Sequence, residues 1–127
     1  MAKILVVDDE RSIRNSMKEV LEFEGHVVTL AEDGETGLKE AEKEQFDLVF
    51  SDIKMPKMDG IELLAKMRQL QPSTKMILIS GHGTIETAVQ CMRNGAFDFI
   101  EKPMNLNRLL QAVKEAMSSN SAESSNL

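Results

Sequence analysis

The sequence predicts an α/β domain, a doubly wound parallel sheet of five strands with helices on both faces. Three observations predict it. Short β-branched and aliphatic runs alternate with longer amphipathic segments, and no internal repeat interrupts them. The first run, Ile4-Leu5-Val6-Val7, is continuously apolar, as a strand covered on both faces should be. At 127 residues, 42% hydrophobic and 28% charged, the chain has the size and composition of one folded core.

After the first strand, Ile13, Met17, Val20 and Leu21 recur at helical spacing as far as Gly25. Residues 27–30 read as a second strand and 34–44 as a second helix, with Leu38 and Ala41 inward. Leu48-Val49-Phe50 is a third strand that runs into Ser51-Asp52. Pro56 and Gly60 bracket a loop before a third helix marked by Ile61, Leu64 and Ala65. Residues 76–79 make a fourth strand ending at Ser80-Gly81. Ile85, Ala88, Val89 and Met92 mark a fourth helix, stopped by Asn94-Gly95. Residues 97–100 form a short fifth strand that ends at Lys102-Pro103. Asn105 can cap the last helix, with Leu106, Leu109, Leu110 and Val113 on its buried face. The domain is expected over residues 1–118, with the Ser- and Asn-rich residues 119–127 as a flexible tail or truncated linker.

Right-handed crossovers bring the carboxyl ends of all strands to one edge, where such sheets bind ligands. Asp8 and Asp9 follow the first strand, Asp52 the third, Ser80 the fourth and Lys102 the fifth. One acid at a strand end is commonplace; three from two strands are not. Like charges about 5 Å apart repel by about 3 kcal/mol at an effective dielectric of about 20. Unrelieved, that repulsion raises carboxylate pKa values and destabilises the fold. A hard divalent cation relieves it, and oxygen ligands suit Mg2+, which leaves coordination positions open for phosphate. The other reading of Asp8 or Asp9 is capping of the helix that follows, which leaves the second acid unexplained. The set suits phosphoryl transfer to a carboxylate. Asp52 is the expected nucleophile, with Lys102 and the metal spreading charge and Ser80 donating to a transferring oxygen. Gly81 either leaves room for the arriving group or is a simple turn glycine.

Taken together, Val6-Val7-Asp8-Asp9, the run Ser51 to Pro56 with Asp59-Gly60, Ile79-Ser80-Gly81 and the run Phe97 to Pro103 resemble the receiver domain of bacterial two-component response regulators. The resemblance implies a flavodoxin-like fold with strand order 2-1-3-4-5. It implies that Asp52 takes a phosphoryl group from a phosphohistidine on a sensor histidine kinase. It implies Mg2+ held by Asp9, Asp52 and the backbone carbonyl of Lys54, with Asp8 reaching the metal through water. Ser80 and Phe99 become the switch pair, the hydroxyl moving toward the phosphoryl group and the ring turning inward; plain core is the other reading of Phe99. A cis bond is implied at Lys102-Pro103. Ser80 to Thr84, with Ala88-Val89 and Gly95 to Asp98, resembles more narrowly the receivers of nitrogen-regulation-type enhancer-binding transcription activators. A homodimer through the fourth helix, fifth strand and fifth helix is a further implication. The expected role is phosphoprotein of a phosphorelay controlling transcription, not an enzyme beyond its own phosphorylation and slow dephosphorylation. A stand-alone phosphorelay intermediate is the alternative within the family.

Other positions and classes weigh less. Lys54 and His82 flank the expected phosphoryl site, where they would tune phosphate lifetime or lie as solvated loop side chains. His26 reads as a strand-edge surface residue, Cys91 as a small apolar helix residue, and Met55 and Met58 as possible partner contacts. An Mg2+-dependent phosphatase using an aspartyl phosphate needs a second acid two residues past the nucleophile, where Lys54 stands. A nucleotide-binding sheet needs glycines in its first turn, where Asp8-Asp9-Glu10 stand. An inert docking module would not need the intact acid, hydroxyl and ammonium set. A net charge of −6 speaks against nucleic-acid binding, and no apolar run suits a membrane span or secretory signal. With a single cysteine, a reducing, cytoplasmic setting is expected.

Overall fold

The computed structural model describes residues 1–81 and 84–125. Its elements alternate in the expected order: β1 (Lys3–Val7), α1 (Arg11–Phe23), β2 (Val27–Ala31), α2 (Gly34–Lys43), β3 (Leu48–Asp52), α3 (Gly60–Leu70), β4 (Lys75–Ser80), α4 (Ile85–Arg93), β5 (Asp98–Glu101) and α5 (Leu106–Ser125). The sheet runs β2-β1-β3-β4-β5, and each neighbouring pair is parallel. The Lys102–Pro103 bond is cis, as expected.

The central strands explain the two-sided packing. Leu5 and Val7 of β1 point into a core shared with Ala41 of α2 and Leu63, Leu64 and Met67 of α3. Ile4 and Val6 point the other way, into a core built with Met17 and Leu21 of α1 and Leu109, Val113 and Ala116 of α5. Alternate residues along a strand face opposite sides, so each residue of this apolar run meets one helical layer or the other. Each fully buried aliphatic side chain contributes about 1.5–3 kcal/mol.

Helix starts are written in short polar side chains. Asp33, Asp59 and Thr84 accept from the backbone N–H three residues on, at Thr36, Glu62 and Thr87. Asn105 does the same for Arg108 at 3.2 Å. At the end of α4, Gly95 takes φ +100°, and a Cβ there would strike the Arg68 guanidinium.

Periodicity marks the helices, and burial shows which of their apolar residues face inward. Ile85, Val89 and Met92, the stripe that marks α4, face outward, and the one buried residue of that helix is Cys91. Periodicity locates an apolar face without saying what covers it. Leu106 is exposed because it opens α5, ahead of the turn that reaches the core. Ala65 is exposed, and Leu63 and Met67 take the inward positions of α3. Met55 is buried in the core shared with α3, and Met58 is half-buried against the same core. The last helix continues to Ser125, through residues 119–125 where a flexible tail or linker was expected. His82 and Gly83, and Asn126 and Leu127, lie outside the described residues.

Candidate functional site

The sheet delivers its polar residues to one rim. Asp52 ends β3, Ser80 ends β4, Asp8 follows β1 and Lys102 follows β5. Strand register pairs Val7 with Ser51, Asp52 with Ile79 and Ser80 with Glu101, which sets these positions in one row. Backbone hydrogen bonds extend the ladder beyond the strand ends: Asp8 N–H to Ala31 at 3.1 Å, Ile53 N–H to Ile79 at 3.0 Å and Lys102 N–H to Ser80 at 2.8 Å. The candidate side chains therefore rise from hydrogen-bonded backbone.

Lys102 is the hub. Its Nζ lies 3.2 Å from Asp52 Oδ2, 3.3 Å from Asp8 Oδ2 and 3.5 Å from Glu10 Oε1. Asp8 and Asp52 are only 1% and 6% exposed. Burial pushes the Asp52 carboxyl above the usual carboxylate range; Lys102 opposes this, and the charge of Asp9 adds to it. Burial likewise raises Asp8, against the hydrogen bond from Glu10 N–H and with the repulsion of Asp52. Burial alone would lower the Lys102 ammonium, but Asp8 and Asp52 hold it above its ordinary value.

The turn between β1 and α1 orients the acids. Glu10 N–H donates to Asp8 Oδ1 at 2.8 Å, and Arg14 Nη1 donates to the Asp8 carbonyl at 2.7 Å. Asp8 Oδ2 is left facing Lys102. Neither Asp8 nor Asp9 caps α1: the N-cap is Glu10, which makes no side-chain cap bond. Asp8, Glu10 and Asp52 each bring a carboxylate oxygen within 4.8 Å of the others. Asp9 is exposed and stands outside that trio, although its charge reaches Asp52. Glu10 is the residue that sequence reasoning missed, because an acid at a helix start already has an explanation in the helix dipole. Three carboxylates around one ammonium leave negative charge in excess, and their hard oxygen atoms fit Mg2+.

The remaining candidates are placed around this centre. Ser80 is buried at 5% exposure. Phe99 is half-buried against the core shared by α2 and α3. Lys54 is exposed on the loop after β3. Gly81 is exposed, and a Cβ on it would meet Lys102 Cδ at 3.9 Å, an ordinary contact. Gly60 is different: a Cβ there would run into the Asp52 carbonyl and stand 2.8 Å from Ile53 Cα. Gly60 N–H donates to the Ile53 carbonyl at 2.8 Å, so α3 begins flush against the backbone of Asp52 and Ile53. His26, expected at a strand edge, stands just before β2 at the end of the sheet away from these residues; it is half-buried, and its Nδ1 accepts from Ala2 N–H at 3.0 Å.

The family model described as "Response regulator receiver domain" matches residues 4–114. The chain is 40% identical over 116 residues to the nitrogen assimilation regulatory protein NtrX of Azorhizobium caulinodans, covering 90% of this chain and 26% of that protein. It superposes with TM-score 0.91 and 40% identity on a CheY-like receiver domain protein from Methanospirillum hungatei, covering 97% of this chain and 98% of that one. The beryllofluoride-activated NtrC4 receiver domain dimer gives TM-score 0.88 at 34% identity, over 92% of this chain and 97% of that one. The chain spans about a quarter of the length of the first curated relatives it matches. Among the described residues, no helix is long and apolar enough to cross a membrane.

Proposed function

The chain belongs to the response regulator receiver domain family, and from that membership we propose that it accepts a phosphoryl group on Asp52 from a sensor kinase phosphohistidine. The observation that carries this reading is Lys102 Nζ standing between Asp8 and Asp52 at 3.3 and 3.2 Å, with Ser80 on the neighbouring strand end. Asp52 attacks phosphorus, the bond to the donor breaks, and a new P–O bond forms on the carboxylate. Lys102 takes up charge on the transferring oxygens, and Ser80 donates to one of them. Asp8, Asp9, Asp52 and the Lys54 carbonyl are the proposed Mg2+ ligands, directly or through water. When bound, the ion offsets the excess of acids and draws phosphate oxygens to Asp52.

The output is conformational. Ser80 and Phe99 sit on adjacent strands, and occupancy of Asp52 biases two packings of that pair. Exposed Ile85, Val89, Met92 and Leu106 on α4 and α5 favour a homodimer across this face. Control of transcription through a further domain, in the cytoplasm, is the proposed context. Lys54 in place of a second acid disfavours sustained phosphatase turnover.

Incubation with acetyl phosphate and Mg2+ followed by intact-mass measurement tests the proposal. One added phosphoryl group (about 80 Da) is expected on the parent and none on Asp52→Asn. Equal labelling of both proteins would remove Asp52 as the acceptor.

A further inference from the structure

Resting on the phosphoacceptor reading, we infer that Glu10 selects phosphodonors by charge, disfavouring small dianionic donors at Asp52. Its carboxylate makes no cap bond on α1, although Glu10 occupies the N-cap. It turns instead toward the site, with Oε1 3.5 Å from Lys102 Nζ and an oxygen within 4.8 Å of those of Asp8 and Asp52. Asp8 and Asp52 are buried, but the Glu10 side chain is 59% exposed. It forms part of the wall of an open groove of about 560 Å3, shared with Ile13, Gly81, Lys102, Pro103 and Met104.

That position gives Glu10 two effects on an incoming donor. It draws the Lys102 ammonium toward the rim, in competition with the transferring oxygens. It also adds a negative charge on the approach to Asp52, where Asp8 and Asp9 already stand. Coulomb repulsion scales with donor charge, so a dianion is opposed more strongly than a monoanion. In acetyl phosphate the P–O bond to the acetyl group breaks, acetate leaves with the electron pair, and Asp52 forms the new P–O bond. Phosphoramidate undergoes the same displacement with ammonia as the leaving group, and carries less net negative charge near neutral pH. A protein donor brings its own side chains to the groove and can neutralise Glu10 on docking.

The test is the rate of Asp52 phosphorylation in the parent and Glu10→Gln, with each donor, at saturating Mg2+ and two ionic strengths. Glu10→Gln should accelerate reaction with acetyl phosphate about five-fold at low salt, and less with phosphoramidate. The gain should shrink below about two-fold at about 0.5 M salt, where screening acts within a few ångströms. A structural role for Glu10 would not move with salt or donor charge. Unchanged or slower reaction of Glu10→Gln with acetyl phosphate, in a protein whose parent is labelled on Asp52, overturns this inference alone. No labelling of the parent by either donor removes the phosphoacceptor reading as well.

Discussion

Lys102 Nζ lies 3.2 Å from Asp52 Oδ2, in a contact where the side chains alone are 16% and 8% exposed. The ammonium also serves Asp8, so removing it leaves two buried carboxylates facing each other. Lys102→Ala is expected to lower stability by about 3 kcal/mol at neutral pH, measured by urea unfolding without divalent cations. Because the folded pKa of Lys102 is raised, its stabilising effect is complete below its ordinary value of 10.5 and lost as pH rises through the folded value.

Neutralising the acids acts in the opposite direction. Asp8 and Asp52 both have folded pKa values above the ordinary 3.8, so protonation favours the fold. That contribution is complete below 3.8 and lost as pH rises through the folded values, which makes the ionised pair a burden at neutral pH. Asp8→Asn and Asp52→Asn should each melt a few degrees above the parent at pH about 7 in chelator, and without advantage at pH about 3. Added Mg2+ should close the gap by stabilising the parent, about 2.7 kcal/mol at a hundredfold excess over Kd. Thermal melts across pH, with and without Mg2+, check both statements.

Gly60 and Gly81 separate steric need from simple turn preference. Gly60→Ala drives a methyl into the Asp52 carbonyl, and should cost at least about 2 kcal/mol while slowing phosphorylation of Asp52. Gly81→Ala meets Lys102 Cδ at ordinary distance and should leave stability within about 0.5 kcal/mol. Chemical denaturation of the two variants reads the contrast directly.

His26 ties the start of β1 to the end of α1. Its Nδ1 accepts from Ala2 N–H only while that nitrogen carries no proton, and burial lowers its pKa below 6.5. The resulting stability is present above 6.5 and lost as pH falls through the lowered value. Between pH about 7.5 and 5, the parent should lose about 1 kcal/mol relative to His26→Leu, read by paired urea titrations.

The rim was legible because strand ends can be read from hydrophobic runs: Leu48-Val49-Phe50 points straight at Asp52, and Phe99-Ile100 at Lys102. The same runs implied a sheet covered on both sides, and β1 divides its side chains between two cores. What stayed hidden depends on partners distant in sequence. Glu10 turning to Lys102 follows from how the first turn closes on the residue after the fifth strand. The inward residue of α4 was hidden too, since Cys91 carries a weaker apolar signal than Ile85 or Val89.

The outward stripe of α4 has a mechanical meaning. Rotating or sliding that helix disturbs one buried side chain, Cys91, whereas moving α3 would uncover Leu63, Leu64 and Met67. At about 1.5–3 kcal/mol for each large aliphatic side chain, α3 is anchored and α4 is only moored. Were the proposed phosphorylation to supply about 3 kcal/mol at the rim, the ratio of any two packings of α4 would change about a hundredfold. Among the described helices, α4 is thus the one that the least free energy would re-aim against the sheet.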